Sequence, residues 1–436
     1  MPWELAVWII SVLLCLVLIT QPKWQDRFDE APWRWYLVGF PVTALRLRFT
    51  WRKLCQNSDL AVSRRPRQAL MAGELLVKGS AVRPVPPRLG PIRATRTGLV
   101  VRIRLHPGQT PGQFIAAAEA FTHAWRVHSV RVISPERGEV AAVITARDPL
   151  SDRPGVMPVH RPRVLAATVG RTEDGAAWEI DLRVVPHWLV IGATRSGKSN
   201  WLATLIGELA PQPVALVGID CKGGMELALF APRLSALASN RADASRLLAA
   251  LLTEAEDRMA ECRAAGARSI WDLPEEDRPV PVVVVVDEIA ELYLSDGSRA
   301  SKAETAECST SLLRLGQLGA ALGIHLVVAA QRFGSELGPG VTALRAQLGG
   351  RVCHRAHDEA TAEMALGDLA PDAVAVAQSI TEAEQGVAVT TIGGHWLRAR
   401  SLLTTIEGAR SVSREHAHRT PCLPVLGPSL TKGGTA

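Results

Sequence analysis

The sequence lacks paired cysteines. Its seven cysteines (Cys15, Cys55, Cys221, Cys262, Cys308, Cys353 and Cys422) stand apart, with no C-x-x-C pair and no His/Cys cluster at metal-ligand spacing. That excludes a disulfide framework and a zinc site, and points to a reducing compartment for the bulk of the chain. The composition of a disordered protein is missing too, since 47% of the residues are hydrophobic and 21% charged. Nor is there a chain-wide excess of positive charge. The formal net charge is +6, but Pro41 to Val100 holds twelve Lys/Arg against two acidic residues, a local +10 that leaves the remainder at −4. Basicity is therefore local and does not by itself assign nucleic-acid binding to the rest of the chain. At 436 residues there is room for two or three domains.

What is present begins with "WELAVWIISVLLCLVLIT", Trp3 to Thr20, apolar apart from Glu4 and a few small polar groups. As a helix it would be about 27 Å long, close to a hydrocarbon core. No basic residue precedes it and no A-x-A-like site follows, which argues against a signal peptide, and it has no polar face for a soluble core helix. One transmembrane helix is expected over 3–20. Half of the twelve tryptophans lie in the first 51 residues with Tyr36 beside them, as in an aromatic belt. Lys23, Arg27, Arg34, Arg46 and Arg48 follow the run, which puts the N-terminus outside and the rest of the chain in the cytoplasm. A second run, "WYLVGFPVTAL", is short and contains Pro41, so 35–49 reads as an interfacial or re-entrant helix or as a second span.

A membrane anchor is thus expected over 1–54 and a basic, Pro-rich linker over 55–91. The linker's "SRRPRQAL" fits anionic lipid, nucleic acid or a solvated connection, and "RPVPPRLGP" cannot be helical. A small α/β unit follows over 92–160. In it the strand "TGLVVRIRL" leads to the helix "TPGQFIAAAEAFTHAWRV", capped by Thr110 with Pro111 at its first position, and then to strands "SVRVIS" and "EVAAVITA".

The chemistry is carried by "VIGATRSGKSN". Gly192, Gly197, Lys198 and Ser199 match G-x-x-x-x-G-K-[ST] between a strand-like "HWLVI" and a helix-like "NWLATLIGELA". In that arrangement the backbone of Gly192, Ala193, Thr194, Arg195, Ser196 and Gly197 surrounds the phosphates of ATP. Lys198 reaches the β/γ oxygens, and the Ser199 hydroxyl joins Mg²⁺. Alternating strand and helix segments then predict a parallel sheet. The five valines of "PVVVVVDEIAEL" read as a strand buried on both faces that delivers Asp287 and Glu288 to its C-terminal end. Asp287 is assigned to the metal and Glu288 to the attacking water, so the chain should hydrolyse ATP. The next strand, "GIHLVVAAQR", ends in Gln331, placed to sense the γ-phosphate. The motor is expected over 161–403, and the tail 404–436 is expected to be disordered.

The segments "PHWLVIGATRSGKSN", "GIDCKGGMEL", "VVVVVDEIAEL", "LLRLGQLGAALGIHLVVAAQR" and "LRAQLGGRVCHRAHDEATAEMALG" resemble, in order and character, the FtsK/SpoIIIE family of DNA-translocating ATPases. The resemblance covers roughly Pro91 to Arg400. It implies a RecA-like motor preceded by a small α/β subdomain, and a homo-hexameric ring around double-stranded DNA, tethered to the cell membrane with its ATPase in the cytoplasm. It implies the nucleotide residues Gly192, Thr194, Gly197, Lys198, Ser199, Asp287, Glu288 and Gln331. It also implies an arginine supplied in trans, for which Arg314 and Arg351 are the candidates. Phe333 and Gly334 depart from the family's pattern in a loop expected to touch DNA. About 33 residues after Leu403 are too few for the orienting module of chromosome translocases. A short anchored chain with one motor resembles the TraB-like transfer proteins of actinobacterial conjugative elements, with other conjugation proteins as further partners. A secretion ATPase for protein substrates and a non-hydrolysing membrane scaffold are the alternative readings.

Overall fold

A computed structural model describes residues 35–64, 83–146, 148–151, 163–367, 371–392 and 395–426. The membrane helix expected over 3–20 lies outside these. The chain divides into two units, Met1–Pro149 and Leu150–Ala436.

In the first unit, a π turn at Trp35–Gly39 leads into α1 (Phe40–Asn57). Thr43, Leu47, Trp51 and Cys55 recur every four residues and form its buried face, as a 3.6-residue period requires. Val42, Leu45 and Phe49 line the opposite face and are exposed, as is Val38 in the preceding turn. The second-span reading of 35–49 is therefore corrected. The helix carries Arg46, Arg48, Arg52 and Lys53, one face is committed to a protein core, and no helix of the described residues is long and apolar enough to cross a membrane.

Strands β1 (Val62–Arg64) and β2 (Arg83–Val85) pair with each other. A four-stranded antiparallel sheet runs in the order β3-β4-β6-β5, from β3 (Arg88–Ala94), β4 (Gly98–Arg104), β5 (Ser129–Glu136) and β6 (Glu139–Thr145). β3 is a second departure, since it begins inside the stretch expected to be a joint. It is an edge strand with a register shift between Leu89 and Ile92, and at such a place Pro91, lacking an N–H, is tolerated. The single helix expected after Thr110 is two, α2 (Pro111–Ala116) and α3 (Ala118–Trp125), with Thr110 and Gln113 forming a capping box. Trp51 of α1 packs against Phe121 and Trp125, which stack on each other at 4.9 Å. The helix expected to belong to the anchor thus supplies part of this unit's core.

The second unit is built on a ten-stranded sheet ordered β11-β10-β12-β13-β9-β14-β15-β16-β7-β8. The six parallel strands are β11 (Ala236–Ala238), β10 (Ala215–Ile219), β12 (Val282–Val286), β13 (Ile324–Ala330), β9 (His187–Ile191) and β14 (Gly350–His354). The antiparallel edge is β15 (Val387–Ile392), β16 (His395–Ser401), β7 (Ala166–Thr172) and β8 (Ala177–Asp181). The valines of β12 explain why the sheet needs helices on both faces. Val282, Val284 and Val286 point into one core, and Val283 and Val285 into the other. The first core is closed by α5 (Arg241–Ala264) and α6 (Arg299–Leu322), the second by α4 (Lys198–Leu209).

Of the tail expected to be disordered over 404–436, residues 404–426 are corrected, and 427–436 lie outside the described residues. Thr405 caps α7 (Ile406–Glu415), and Leu423 and Leu426 are buried. The chain is held there by Asn200 of α4, whose side chain donates to Leu402 O at 2.6 Å and accepts from Thr404 N at 2.9 Å.

Three buried histidines sit at strand ends. His187 accepts from Leu326 N at 3.0 Å, His325 lies 3.3 Å from Pro186 O, and His354 lies 3.0 Å from Val387 O. Burial pushes each down from 6.5 to about 4. The folded chain therefore binds fewer protons than the unfolded chain between those values. Their stabilisation is complete above about pH 6.5 and is lost as pH falls toward 4, at roughly 1.4 kcal/mol per pH unit for each histidine. Thermal midpoints measured from pH 7 to 4 should fall through this window. Replacing His354 by glutamine should flatten the fall, and an unchanged profile would contradict the assignment.

Candidate nucleotide site

β9 ends at Ile191, and the next six residues turn the chain into α4, whose first residue is Lys198. The turn is pinned on both sides. Gly192 N donates to Ala330 O of β13 at 3.2 Å, Ala193 N to Arg355 O at 2.9 Å, and Gly386 N to Ser196 O at 2.9 Å. Two glycines are sterically required. A Cβ on Gly192 would come within 2.4 Å of Ser196 Oγ and 2.9 Å of His354 Cβ. Gly197 has φ +111°, and its Cβ would lie 2.6 Å from the Gly386 backbone. Thr194 and Arg195 are exposed, and Arg195 takes a left-handed φ of 62°. Such a turn leaves backbone N–H groups and a helix N-terminus facing one point, which suits a phosphate chain.

The strand order brings the remaining groups to that point. β13 lies between β9 and β12, so its C-terminal residue is flanked by the phosphate turn and the two acids. Lys198 is buried, and its Nζ donates to Asp287 O at 3.1 Å and to Glu288 Oε2 at 3.3 Å. Gln331 N donates to Glu288 Oε1 at 3.2 Å. That bond comes from the Gln331 backbone, while its side chain, expected to sense the γ-phosphate, is exposed. Burial raises the Asp287 carboxyl above its ordinary range, and Lys198 pulls against that shift.

Asp287 Oδ1 and Ser196 Oγ are buried with no hydrogen-bond partner among the described residues. A buried carboxylate oxygen without a donor suits a metal's water shell. No three His, Cys, Asp or Glu side chains gather to hold a metal alone among the described residues. Mg²⁺ bound together with phosphates needs only one carboxylate and a hydroxyl, so Asp287 and Ser199 fit that role.

Of the two arginines considered for action in trans, Arg314 is exposed on α6 and bonds Gln317. Arg351 sits half-buried on β14 and donates to Arg345 O at 3.1 Å. The structure does not bring either into the Lys198–Glu288–Gln331 cluster. Phe333 is fully buried, so this unusual residue, two after Gln331, plugs the core and does not present a ring to a polymer. Sequence reasoning missed two residues at the site. His354 forms the floor of the turn, and Lys222 lies 3.4 Å from Glu288 Oε2. Lys222 stood in the quoted "GIDCKGGMEL" without a role.

Comparison with known proteins agrees with this geometry. Residues 23–146 match the actinomycete conjugal transfer protein N-terminal domain, and residues 150–335 match the FtsK/SpoIIIE family. The chain is 45% identical over 354 residues to the transfer protein TraSA of Streptomyces ambofaciens, covering 78% of this chain and 85% of that one. It is 29% identical over 279 residues to the DNA translocase FtsK of Mycobacterium tuberculosis, covering 55% of this chain and 31% of the relative. Among solved structures, the conjugation coupling protein TcpA, in its monomer form with ATPγS, shares the fold. Its TM-score is 0.53 at 18% identity, over 84% of this chain and 98% of that one. With the phosphate turn, the paired acids and the neighbouring strand assembled at one sheet edge, the chain belongs to the FtsK/SpoIIIE family of P-loop ATPases, joined to an N-terminal domain of the actinomycete conjugal transfer type.

Proposed function

We infer that the chain is an ATP-driven translocase of double-stranded DNA that acts in conjugative transfer, with chromosome segregation as a variant of the same activity. The observation that carries this reading is the convergence of Lys198, Asp287, Glu288 and the Gln331 backbone on one point of the sheet edge. Relatives named as a transfer protein and as a DNA translocase support the choice of polymer.

The chain's residues divide the work. Lys198 moves from Glu288 to the β/γ oxygens, where Ser199 and Asp287 would hold a Mg²⁺ ion that would supply charge neutralisation. Glu288, held by the Gln331 N–H, accepts a proton from the attacking water. The new bond forms from water oxygen to the γ-phosphorus, and the bond to the bridging oxygen breaks with its electron pair leaving on ADP. Working as a homo-hexamer, the ring would supply Arg314 or Arg351 of a neighbouring protomer to the developing charge.

A membrane location draws support from α1. Its exposed stripe of Val42, Leu45 and Phe49, continued by Val38 in the preceding turn, is flanked by exposed Arg48, Arg52 and Lys53, with no acidic residue on the helix. Apolar side chains between basic ones suit the surface of an anionic bilayer. Together with the apolar sequence 3–20 ahead of it, this supports a motor held at the cytoplasmic face of the cell membrane.

The test is ATP hydrolysis by the full chain in detergent with and without linear double-stranded DNA. Stimulation of several-fold, falling as salt rises because phosphate contacts dominate, is expected. Turnover indifferent to DNA would overturn the polymer assignment and favour a protein-handling secretion ATPase. Binding without turnover would favour a scaffold.

A further inference from the structure

Glu288 carries more positive charge than hydrolysis needs. Its Oε2 sits 3.3 Å from Lys198 Nζ and 3.4 Å from Lys222 Nζ, in a side chain only 5% exposed. Lys198 is drawn away once phosphates occupy the turn, because they are the stronger anionic partner. Lys222 has no such reason to leave. A carboxylate oxygen already engaged by an ammonium is not free to orient the attacking water, whereas the Gln331 N–H engages only the other oxygen, Oε1.

The loop that carries Lys222 is firm at its base and open at its tip. Asp220, buried at the end of β10, accepts from Lys222 N, Glu226 N and Leu227 N at 3.2, 2.9 and 3.2 Å. Gly223 and Gly224 then take left-handed conformations. A Cβ on Gly223 would meet nothing within 4 Å, and Met225 beyond it is 77% exposed. The Lys222 side chain is itself 37% exposed and reaches inward from this loop to the buried carboxylate.

We propose that Lys222 is a positioning residue that latches Glu288 by occupying its Oε2, and that displacement of the open loop Cys221–Glu226 withdraws it and frees that oxygen for hydrolysis. The proposal rests on the ATPase reading of the site but not on the identity of the polymer. Lys198 and Lys222 hold the carboxylate together and release it for different reasons. The first senses nucleotide, and the second senses whatever presses on the loop tip.

The experiment is steady-state ATP hydrolysis by the full chain without any polymer, comparing wild type with Lys222→Met and Lys222→Arg. The expected result is a rise of about three- to tenfold in kcat for Lys222→Met, an unchanged KM for ATP, and return toward the wild-type rate in Lys222→Arg. The rise must vanish in the Lys222→Met/Glu288→Gln double variant. A fall in kcat would overturn the latch by making Lys222 a helper of the chemistry, and a rise in KM would overturn it by making Lys222 a phosphate ligand. If Lys222→Met does not fold, Lys222→Gln is read in the same way, with thermal midpoints compared to wild type. DNA stimulation of the wild type is measured separately, so a failed polymer assignment leaves the polymer-free rates to decide the latch.

Discussion

Glu288→Gln is expected to lower ATP turnover by about 10²- to 10⁴-fold, the usual worth of a positioned general base. Nucleotide binding should survive, because the phosphate turn is held by Ala330 O, Arg355 O and Gly386 N and by no atom of Glu288. The amide would keep the Gln331 N–H as a donor to its oxygen while losing the ability to take a proton. Steady-state kinetics and binding of a fluorescent ATP analogue separate the two effects. Loss of both together would mean that Glu288 builds the site and does not merely act in it.

The second large effect concerns stability and arises far from the chemistry. Arg233 is wholly buried and donates to Ala210 O at 2.7 Å and to Gln212 O and Val214 O at 2.9 Å each. These carbonyls lie between the end of α4 and the start of β10, where the chain turns without regular structure to satisfy them. Arg233→Met keeps the length and removes these donors, stranding Ala210 O and Val214 O at about 1–3 kcal/mol each while Gln212 O keeps Val214 N at 2.8 Å, so a loss of at least about 2 kcal/mol is expected. The urea unfolding midpoint should fall accordingly, while kcat of the remaining folded protein should stay near wild type because the phosphate turn lies at the other end of α4. A change below about 1 kcal/mol would show that these carbonyls find other donors or water.

The legible part of this protein was the part in which one physical requirement dominates. Five valines in a row admit one reading, a strand covered on both faces, and the glycines and lysine of the phosphate turn have chemistry that no other residues supply. What was not legible depends on partners distant in sequence. The period-4 burial of Leu47, Trp51 and Cys55 becomes visible only when Phe121 and Trp125, some seventy residues on, provide the surface to bury against. Tryptophans that suggested a lipid headgroup layer include Trp51, which is spent in a protein core, while the apolar residues left outside are Val42, Leu45 and Phe49. The Gln331 backbone N–H could not be told from its side chain by letter alone. Lys222 was invisible as a partner of Glu288 because 66 residues separate them and only the parallel pairing of β10 with β12 brings their strand ends together.

The approach of Gly386 to Gly197 bears on what counts as the smallest working piece of this motor. The stretch that matches the FtsK/SpoIIIE family stops at residue 335, and by then every nucleotide-motif residue has been written. Yet the turn that grips phosphate is bounded by His354, Arg355 and Gly386, none of which that stretch contains. A fragment cut to the family's signature would have a complete inventory and an incomplete vessel. The indispensable contribution of the last quarter of the chain is enclosure, a property that no motif can spell.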